Sequence, residues 1–163
     1  PQACLMLAEA ACFYKEQGKT LVDVLYDLYQ ELGYYEESQV ALKLEGQAGA
    51  QRIQQILKDL RTSGLAEING TKVVRFEDYK ECRIVENGVE SELVGFTKSD
   101  VLKYYLEDGC WIAIRPSGTE PKCKFYYCIK GSSLCEAHEK TIAYQKAMAK
   151  LNSQQSALSS LFA

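Results

Sequence analysis

A short polar segment between two apolar runs holds the side chains best suited to chemistry. Residues 115–122 read Arg-Pro-Ser-Gly-Thr-Glu-Pro-Lys. A guanidinium matches two anionic oxygens with its planar fork, which an ammonium cannot copy. Hydroxyl groups add further donors, and a glycine lets backbone N–H groups approach an anion because it has no Cβ. The segment therefore predicts a loop that binds phosphate through Arg115, Ser117, Gly118, Thr119 and Lys122.

The charge of this loop differs from that of the whole chain, whose net charge is −3. Between Arg115 and Lys124 there are three cations against one anion, Glu120, which gives a local charge of +2. An anion site must therefore be a local concentration of positive charge. A structural alternative stays open, in which the loop is an ordinary hairpin connection and Arg115 pairs with Glu120.

The runs on either side of the loop favour strands because they are rich in β-branched and aromatic residues. Residues 110–129 thus predict a strand, the loop and a second strand. Alternation over residues 39–45 predicts another half-buried strand. The Asn-Gly pair at residues 69–70 predicts a hairpin turn, and residues 77–97 predict a surface hairpin or insertion.

Helical spacing of apolar residues predicts the remaining elements of this region. Residues 53–60 form an amphipathic pattern that Gly64 can end. Residues 97–107 predict a short helix. Ser133 and Glu136 form a capping box, and the final helix runs to about Asn152. The apolar stripe of that helix comprises Leu134, Ala137, Thr141, Tyr144, Met148 and Leu151.

Two further helices are predicted before the first strand, at residues 3–17 and 21–32. The first is apolar on nearly every side, which is typical of a helix buried in a larger body. The second has an apolar stripe, with Thr20 and Asp23 as its cap and Gly33 as its end. Because the chain starts within a helical pattern, we expect a fragment whose apolar stripes need cover from residues 35–152 or from a dimer through residues 1–33.

The fold class predicted from these elements is α+β. It is an antiparallel sheet of about four strands with helices packed on one face, preceded by two helices left from a preceding domain. The predicted divisions are residues 1–34, residues 35–152 and a tail at residues 153–163. The tail either frays or docks through its apolar residues, Leu158, Leu161 and Phe162.

From its composition we expect a cytoplasmic protein that binds neither membranes nor nucleic acids. No apolar run reaches membrane-spanning length and no secretory leader is visible. The acidic net charge argues against nucleic acid. The seven cysteines are an odd number without a C-x-x-C spacing, so we expect reduced, mostly buried thiols. His138 is expected to be a surface helix residue, so no metal site is predicted.

The eight residues 115–122 closely resemble the phosphate-binding loop of the α-D-phosphohexomutases, the phosphoglucomutase/phosphomannomutase family. In that family the loop lies in the fourth, C-terminal domain. The resemblance implies an enzyme that moves a phosphate between positions of a sugar phosphate, with a phosphoserine in its first domain and Mg²⁺ in its second. The fourth domain then holds the phosphate that is not transferred. By position, Arg115, Ser117, Gly118, Thr119 and Lys122 would hold it.

Other motifs of that family are missing from this sequence. Neither the phosphoserine segment nor the metal-binding aspartate loop has a match. Glu36, Glu37 and Ser38 imitate the letters of a sugar-reading element but are expected to be a solvated turn. We therefore expect a C-terminal fragment with no catalytic residue, no cofactor of its own and no mutase activity alone. Its expected partners are a hexose or pentose phosphate and the missing N-terminal domains, and Mg²⁺ is expected only in the parent enzyme.

Two other classes of protein stay open. The chain could be a nucleic-acid-binding module, although its aromatic residues do not interleave with a basic stripe in the sequence. Tyr104 and Tyr105 are accordingly expected to be single core or surface residues. The chain could also be a protein-interaction module whose loop has no function.

Overall fold

The structure is a computed structural model that describes residues 2–160, with side chains described for residues 2–151. These residues form four helices and eight strands. The helices are α1 (Gln2–Glu16), α2 (Leu21–Leu32), α3 (Gly46–Ser63) and α4 (Leu134–Ser160). The strands are β1 (Tyr34–Lys43), β2 (Glu67–Ile68), β3 (Thr71–Asp78), β4 (Arg83–Glu86), β5 (Val89–Glu92), β6 (Leu102–Leu106), β7 (Trp111–Pro116) and β8 (Lys122–Gly131).

All strand pairs of the described chain are antiparallel. The strand order is β1-β8-β7-β6-β3-β4-β5, and β2 pairs with β3 beside this path. β1 and β5 are therefore the strands at the two ends of this order. The prediction of an α+β class is confirmed, but the sheet has eight strands and not about four. Too few strands were predicted, because short strands between tight turns show little periodicity in the sequence.

Helices α3 and α4 cover one face of the sheet. On β7 and β8, alternate residues are buried, among them Ile112, Ile114 and Phe125. They share a single apolar core with Leu57 of α3 and Tyr144 of α4. The prediction that helices pack on one face is confirmed for α3 and α4. We call the opposite side of the sheet the outer face. It carries the other residues of each strand, among them Lys103, Trp111, Arg115, Lys124 and Tyr126.

The helix predicted at residues 97–107 is wrong, because Leu102–Leu106 form strand β6. In this strand Leu102, Tyr104 and Leu106 are buried and alternate with the half-buried Lys103 and Tyr105. The apolar residues of this segment fit the spacing of a helix and that of a strand equally well. The segment forms a strand because it pairs with β3 on one side and β7 on the other. Tyr104 is therefore a core residue, and Tyr105 lies half-buried on the outer face.

The solvated turn expected at Glu36, Glu37 and Ser38 is also wrong. These residues lie within β1, which pairs with β8 from Tyr34 to Lys43. The expected strand at residues 39–45 is therefore longer at its N-terminal end and ends earlier at its other end. That the match to a sugar-reading element is accidental stays a prediction.

The two N-terminal helices form as predicted. The Thr20 hydroxyl accepts a hydrogen bond from the Asp23 N–H (3.2 Å), and the Asp23 carboxylate accepts one from the Thr20 N–H (2.8 Å). Neither helix has a buried residue. Leu5 is 70% exposed and Phe13 is 58% exposed. Residues 35–152 therefore do not provide the expected cover, and the dimer and the domain boundary at residue 34 stay predictions.

Two Asn-Gly pairs form tight turns between strands. Asn69 and Gly70 have φ angles of 52° and 78°, and Asn87 and Gly88 have 50° and 83°. Positive φ at both central positions matches the right-handed twist of a hairpin. The hairpin at residues 69–70 is confirmed. The segment at residues 77–97 forms the β4–β5 hairpin, but its first residues, Glu77 and Asp78, are buried and do not lie on the surface.

Helix α4 is longer than predicted, since its backbone continues to Ser160. At its start the Ser133 hydroxyl accepts a hydrogen bond from the Glu136 N–H (3.2 Å). Its predicted stripe is buried at Ala137, Thr141, Tyr144 and Met148. The proposed docking of the tail through Leu158, Leu161 and Phe162 lies outside the residues whose side chains the structure describes.

The seven cysteines are all free thiols. Cys110, Cys123 and Cys128 are buried, whereas Cys4, Cys12 and Cys135 are exposed and Cys82 lies between. The prediction of reduced thiols agrees with this arrangement, and the prediction that most are buried is wrong. Within the described part of the chain, none of the helices combines the length and apolar character that a membrane crossing requires.

Candidate phosphate-binding site

The segment predicted to bind phosphate connects β7 to β8. Backbone hydrogen bonds hold it in shape, from the Ser117 N–H to the Lys122 carbonyl (2.7 Å) and from the Lys122 N–H to the Glu120 carbonyl (2.7 Å). A third bond, from the Leu44 N–H to the Pro121 carbonyl (3.0 Å), ties the loop to the chain just after β1. Two prolines add rigidity by fixing φ. These contacts give the backbone of the loop a defined shape.

An open cavity of about 310 Å³ lies against this loop. All five residues predicted as phosphate contacts line it, together with four others. The predicted contacts are Arg115, Ser117, Gly118, Thr119 and Lys122, and the others are Pro116, Glu120, Lys124 and Tyr126. The fold therefore brings the whole predicted set to one concave surface.

Arg115 is exposed and lies directly opposite Lys124 in the pairing of β7 with β8. Opposite residues of an antiparallel pair point to the same face, so the two cations stand side by side. The alternative pairing of Arg115 with Glu120 is not observed. Glu120 instead contacts the Lys122 ammonium at 3.2 Å. Among the described residues, Arg115 has no carboxylate partner, which leaves its fork available to an anion.

The donors at the tip of the loop are also accessible. Gly118 and Thr119 are exposed, and Ser117 is half-buried. The Thr119 N–H lies 3.5 Å from the Ser117 hydroxyl oxygen, which is at the long limit of a hydrogen bond. A Cβ added at Gly118 would meet nothing within 4 Å. Packing of the described fold therefore does not require glycine at this position.

Lys124 and Tyr126 are the two lining residues outside the loop, and neither was among the predicted contacts. Strand alternation carries the signal for them, because residues 122, 124 and 126 of one strand share a face. The Lys124 ammonium lies 6.0 Å from the centre of the Tyr126 ring. That distance is at the outer limit of a cation–π contact, so the ammonium keeps its capacity to bind an anion.

Neither a cysteine nor the histidine is among the residues that line this cavity. The pKa of the adjacent Cys123 thiol rises to about 12, mainly because burial disfavours the thiolate and to a lesser extent because of Asp100. It is therefore protonated and a poor nucleophile at neutral pH. His138 is exposed and lies 3.0 Å from Glu36 at another part of the surface. The described residues contain no group of three metal-ligating side chains.

Together these features define an α+β domain with an accessible cationic loop at the end of a central hairpin. Residues 40–132 match the family model of the phosphoglucomutase/phosphomannomutase C-terminal domain. This match covers more than half of the chain. The chain therefore belongs to the phosphoglucomutase/phosphomannomutase family, as a member with its C-terminal domain.

Comparison with curated proteins gives the same family. The chain is 32% identical over 123 residues to a phosphoglucomutase of Staphylococcus saprophyticus, which covers 74% of this chain and 22% of that relative. It is 35% identical over 127 residues to one of Staphylococcus aureus strain N315, with coverage of 77% and 23%. It is 37% identical over 114 residues to one of Staphylococcus haemolyticus, with coverage of 69% and 20%. The chain thus spans about a fifth of the length of these relatives.

Proposed function

We propose that this chain is the C-terminal part of a phosphohexomutase and that its loop at residues 115–122 binds the phosphate of a sugar phosphate. Such an enzyme is an isomerase that works by intramolecular phosphoryl transfer. The observation that carries the proposal is the placement of Arg115, Ser117, Thr119 and Lys124 around one open cavity. Membership of the family supports the same assignment.

The roles of the loop residues follow from their chemistry. The Arg115 guanidinium forms two parallel hydrogen bonds with two phosphate oxygens. Lys124 supplies a second positive charge beside it. The Ser117 and Thr119 hydroxyls donate to the remaining oxygens, and the backbone at Gly118 can approach them closely. Such contacts grip a phosphate that stays in place while another position of the sugar reacts.

Lys122 and Glu120 have a smaller role in this proposal. Their ion pair at 3.2 Å leaves little net charge for a ligand. The carboxylate holds the Lys122 ammonium at the rim of the cavity, which keeps Glu120 itself paired when a dianion binds nearby. Lys122 therefore contributes a donor more than a free charge.

Binding energy from the unreacting phosphate would serve the reaction elsewhere in the longer enzyme. A contact remote from the chemistry can position the reacting end and help to close the site. The Mg²⁺ that the family implies, which would stabilise charge on the transferring phosphate, finds no ligand set among the described residues. We propose that the metal and the phosphoserine lie in the rest of such an enzyme.

The exposed faces of α1 and α2 fit the same proposal. They lie outside the matched residues 40–132, and none of their residues is buried by the rest of the described chain. We propose that residues 1–34 are the end of a preceding domain whose remaining part covers these faces. Residues 35–152 then form the phosphate-binding domain.

Phosphate titration of the 163-residue chain tests the loop directly. We expect millimolar affinity, or roughly −4 kcal/mol, because one end of a ligand is held on an open surface. The NMR signals of the Ser117 to Thr119 amides should shift. Arg115→Ala should abolish the shift, whereas Lys130→Ala, at the other end of β8, should preserve it. If these amide signals of the unsubstituted chain do not shift at a high phosphate concentration, the proposal is wrong.

A second test concerns activity. The chain should not convert glucose 1-phosphate to glucose 6-phosphate, because it lacks both a phosphoserine segment and a metal loop. A coupled assay for glucose 6-phosphate measures this. Conversion by the purified chain that survives Arg115→Ala would point to a contaminating enzyme, and conversion that is lost with Arg115→Ala would contradict the proposal.

One observation favours a second candidate, the binding of single-stranded nucleic acid. Aromatic and basic residues do interleave on the outer face, contrary to the sequence expectation. The Lys103 ammonium lies 4.1 Å from the Trp111 ring and 4.6 Å from the Tyr105 ring. Such a surface can stack bases. Salt-sensitive binding of an oligonucleotide that Trp111→Ala removes would support this candidate.

A further inference from the structure

The cavity beside the loop has a wall that the phosphate contacts do not use. That wall is the ring of Tyr126 on the outer face of β8. We propose that this ring is the surface against which the sugar of the bound phosphate ester lies. The inference rests on the proposed function of the loop and extends it, because it assigns a residue that reads the sugar and not the phosphate.

The position of Tyr126 suits this role. Arg115 and Lys124 are opposite each other at the mouth of the hairpin. Tyr126 is two residues further along β8, about 7 Å away on the same face. A phosphate held by the two cations therefore places its sugar ring over this tyrosine.

The neighbours of Tyr126 leave room above its ring. In the pairing of the strands it stands between Ala113 of β7 and Gln39 of β1. The side chain of Ala113 is a single methyl group, so it cannot cover the ring from that side. Tyr126 itself is only half-buried. The ring is thus supported by the sheet and accessible from the cavity.

The chemistry of the ring fits a sugar. The face of an aromatic ring carries partial negative charge, and its edge carries partial positive charge. The C–H groups on the flatter side of a pyranose are weakly positive and apolar, so they pack on such a face. The Lys124 ammonium at 6.0 Å from the ring centre adds a donor beside it, within reach of a sugar hydroxyl or of the phosphate.

A second cavity on the other side of the loop offers the competing place for the sugar. It has a volume of about 360 Å³ and is lined by three glutamines of α3, Gln47, Gln51 and Gln54. Their amides could bind hydroxyl groups. However, Arg115 and Lys124 line only the Tyr126 side. Because the phosphate follows these charges, the sugar is expected on that side too.

The test compares three ligands that share a phosphate but differ in the sugar, namely inorganic phosphate, glycerol 3-phosphate and glucose 1-phosphate. Binding to the 163-residue chain is measured by NMR at the loop amides. Tyr126→Val keeps a strand-forming residue and removes the ring, whereas Tyr126→Phe keeps the ring. Tyr35→Val is the matched control, because Tyr35 has a similar lysine contact (5.6 Å to Lys130) at the far end of the sheet.

We expect Tyr126→Val to lower the affinity for glucose 1-phosphate about three- to tenfold, which corresponds to the usual contribution of an aromatic contact. Affinities for inorganic phosphate and glycerol 3-phosphate should stay within about twofold, as should all affinities of Tyr126→Phe and Tyr35→Val. Thermal unfolding checks that each variant is folded, and Tyr126→Thr replaces the valine variant if that one is not.

Three results would overturn the inference. If Tyr126→Val weakens the binding of all three ligands equally, Tyr126 acts on the phosphate and not on the sugar. If Tyr126→Val leaves the affinity for glucose 1-phosphate unchanged relative to the other two ligands, the ring does not contact the sugar. If Gln51→Ala weakens only the binding of glucose 1-phosphate, the sugar lies in the second cavity. If the unchanged chain binds none of the ligands, the proposed function itself fails, which is a different result from phosphate binding that ignores Tyr126.

Discussion

Asp78, at the end of β3, gives the most demanding prediction about stability. Its carboxylate is completely buried and lies 3.1 Å from the Nε of Arg61 on α3. It also accepts hydrogen bonds from the backbone N–H groups of Lys80 (3.0 Å) and Glu81 (3.3 Å). Arg61 contacts a second carboxylate, that of Asp100. One buried charge thus joins a helix, a strand and the two segments that flank the β4–β5 hairpin.

Asp78→Asn keeps the shape of the side chain and removes its charge. If the amide oxygen takes the place of Oδ1, it keeps the two backbone donors and the hydrogen bond from the Arg61 Nε (3.3 Å). The amide NH₂ then replaces Oδ2, 3.1 Å from the same Nε, which places a donor against a donor. Arg61 retains Asp100, so the roughly 3–5 kcal/mol cost of an uncompensated buried charge is not expected in full. We expect the free energy of unfolding to fall by about 2–3 kcal/mol, from the loss of charged hydrogen bonds.

Urea denaturation with linear extrapolation measures this change. For a chain of this length the melting temperature should fall by about 4–12 °C. Asp27→Asn is the matched control, because its carboxylate is exposed and pairs with Lys19 on the surface. It should change the free energy of unfolding by less than about 0.5 kcal/mol. If the two variants are equally stable, the inference that the buried charge of Asp78 stabilises the fold is wrong.

Three further predictions concern packing, titration and thiol reactivity. Gly49→Ala should lower stability by about 1–3 kcal/mol in urea denaturation, because the added Cβ would lie 2.6 Å from the Leu44 carbonyl carbon and force the backbone apart; a gain in stability would contradict this. Burial opposes ionisation of Asp108, but hydrogen bonds from Cys110, Lys140 and Tyr144 outweigh it and hold its pKa below the usual value of an aspartate. The stability that Asp108 contributes is therefore present above its unfolded pKa and is lost as pH falls through the lower folded pKa, so Asp108→Asn should flatten the acid side of a stability–pH curve. Burial raises the pKa of Cys110 to about 11, so iodoacetamide at pH 8 should label the exposed Cys135 first, and mass spectrometry showing equal labelling would contradict the burial.

The loop was predictable because its signal is local. A guanidinium, two hydroxyls and a glycine within five residues limit the chemistry before any fold is known. The capping box at Thr20 and the Asn-Gly turn at residues 69–70 are local in the same sense, since each depends on residues within four positions. These features appear in the structure at the residues expected.

The wrong predictions concern segments whose structure depends on residues far away in the sequence. The pattern from Leu102 to Leu106 fits both the helical and the strand period, and only pairing with the neighbouring strands excludes a helix. Glu36 and Glu37 are polar, yet β8 extends far enough to pair with them. Tyr126 was expected in a strand, but its part in the cavity depends on Arg115 and Lys124 being opposite each other. A single sequence does not show which strand will be the neighbour.

The two edges of the sheet determine how the protein behaves when it is concentrated. An edge strand has unpaired backbone groups that can recruit another chain, and charged residues oppose this. β5 has only four residues, all exposed, and two of them are Glu90 and Glu92. β1 carries Glu36 and Glu37 at the opposite edge. Self-association through strand addition is thus disfavoured at both ends of the sheet. Aggregation should instead begin at the exposed apolar residues of α1 and α2, so a polar substitution such as Leu5→Gln should improve solubility.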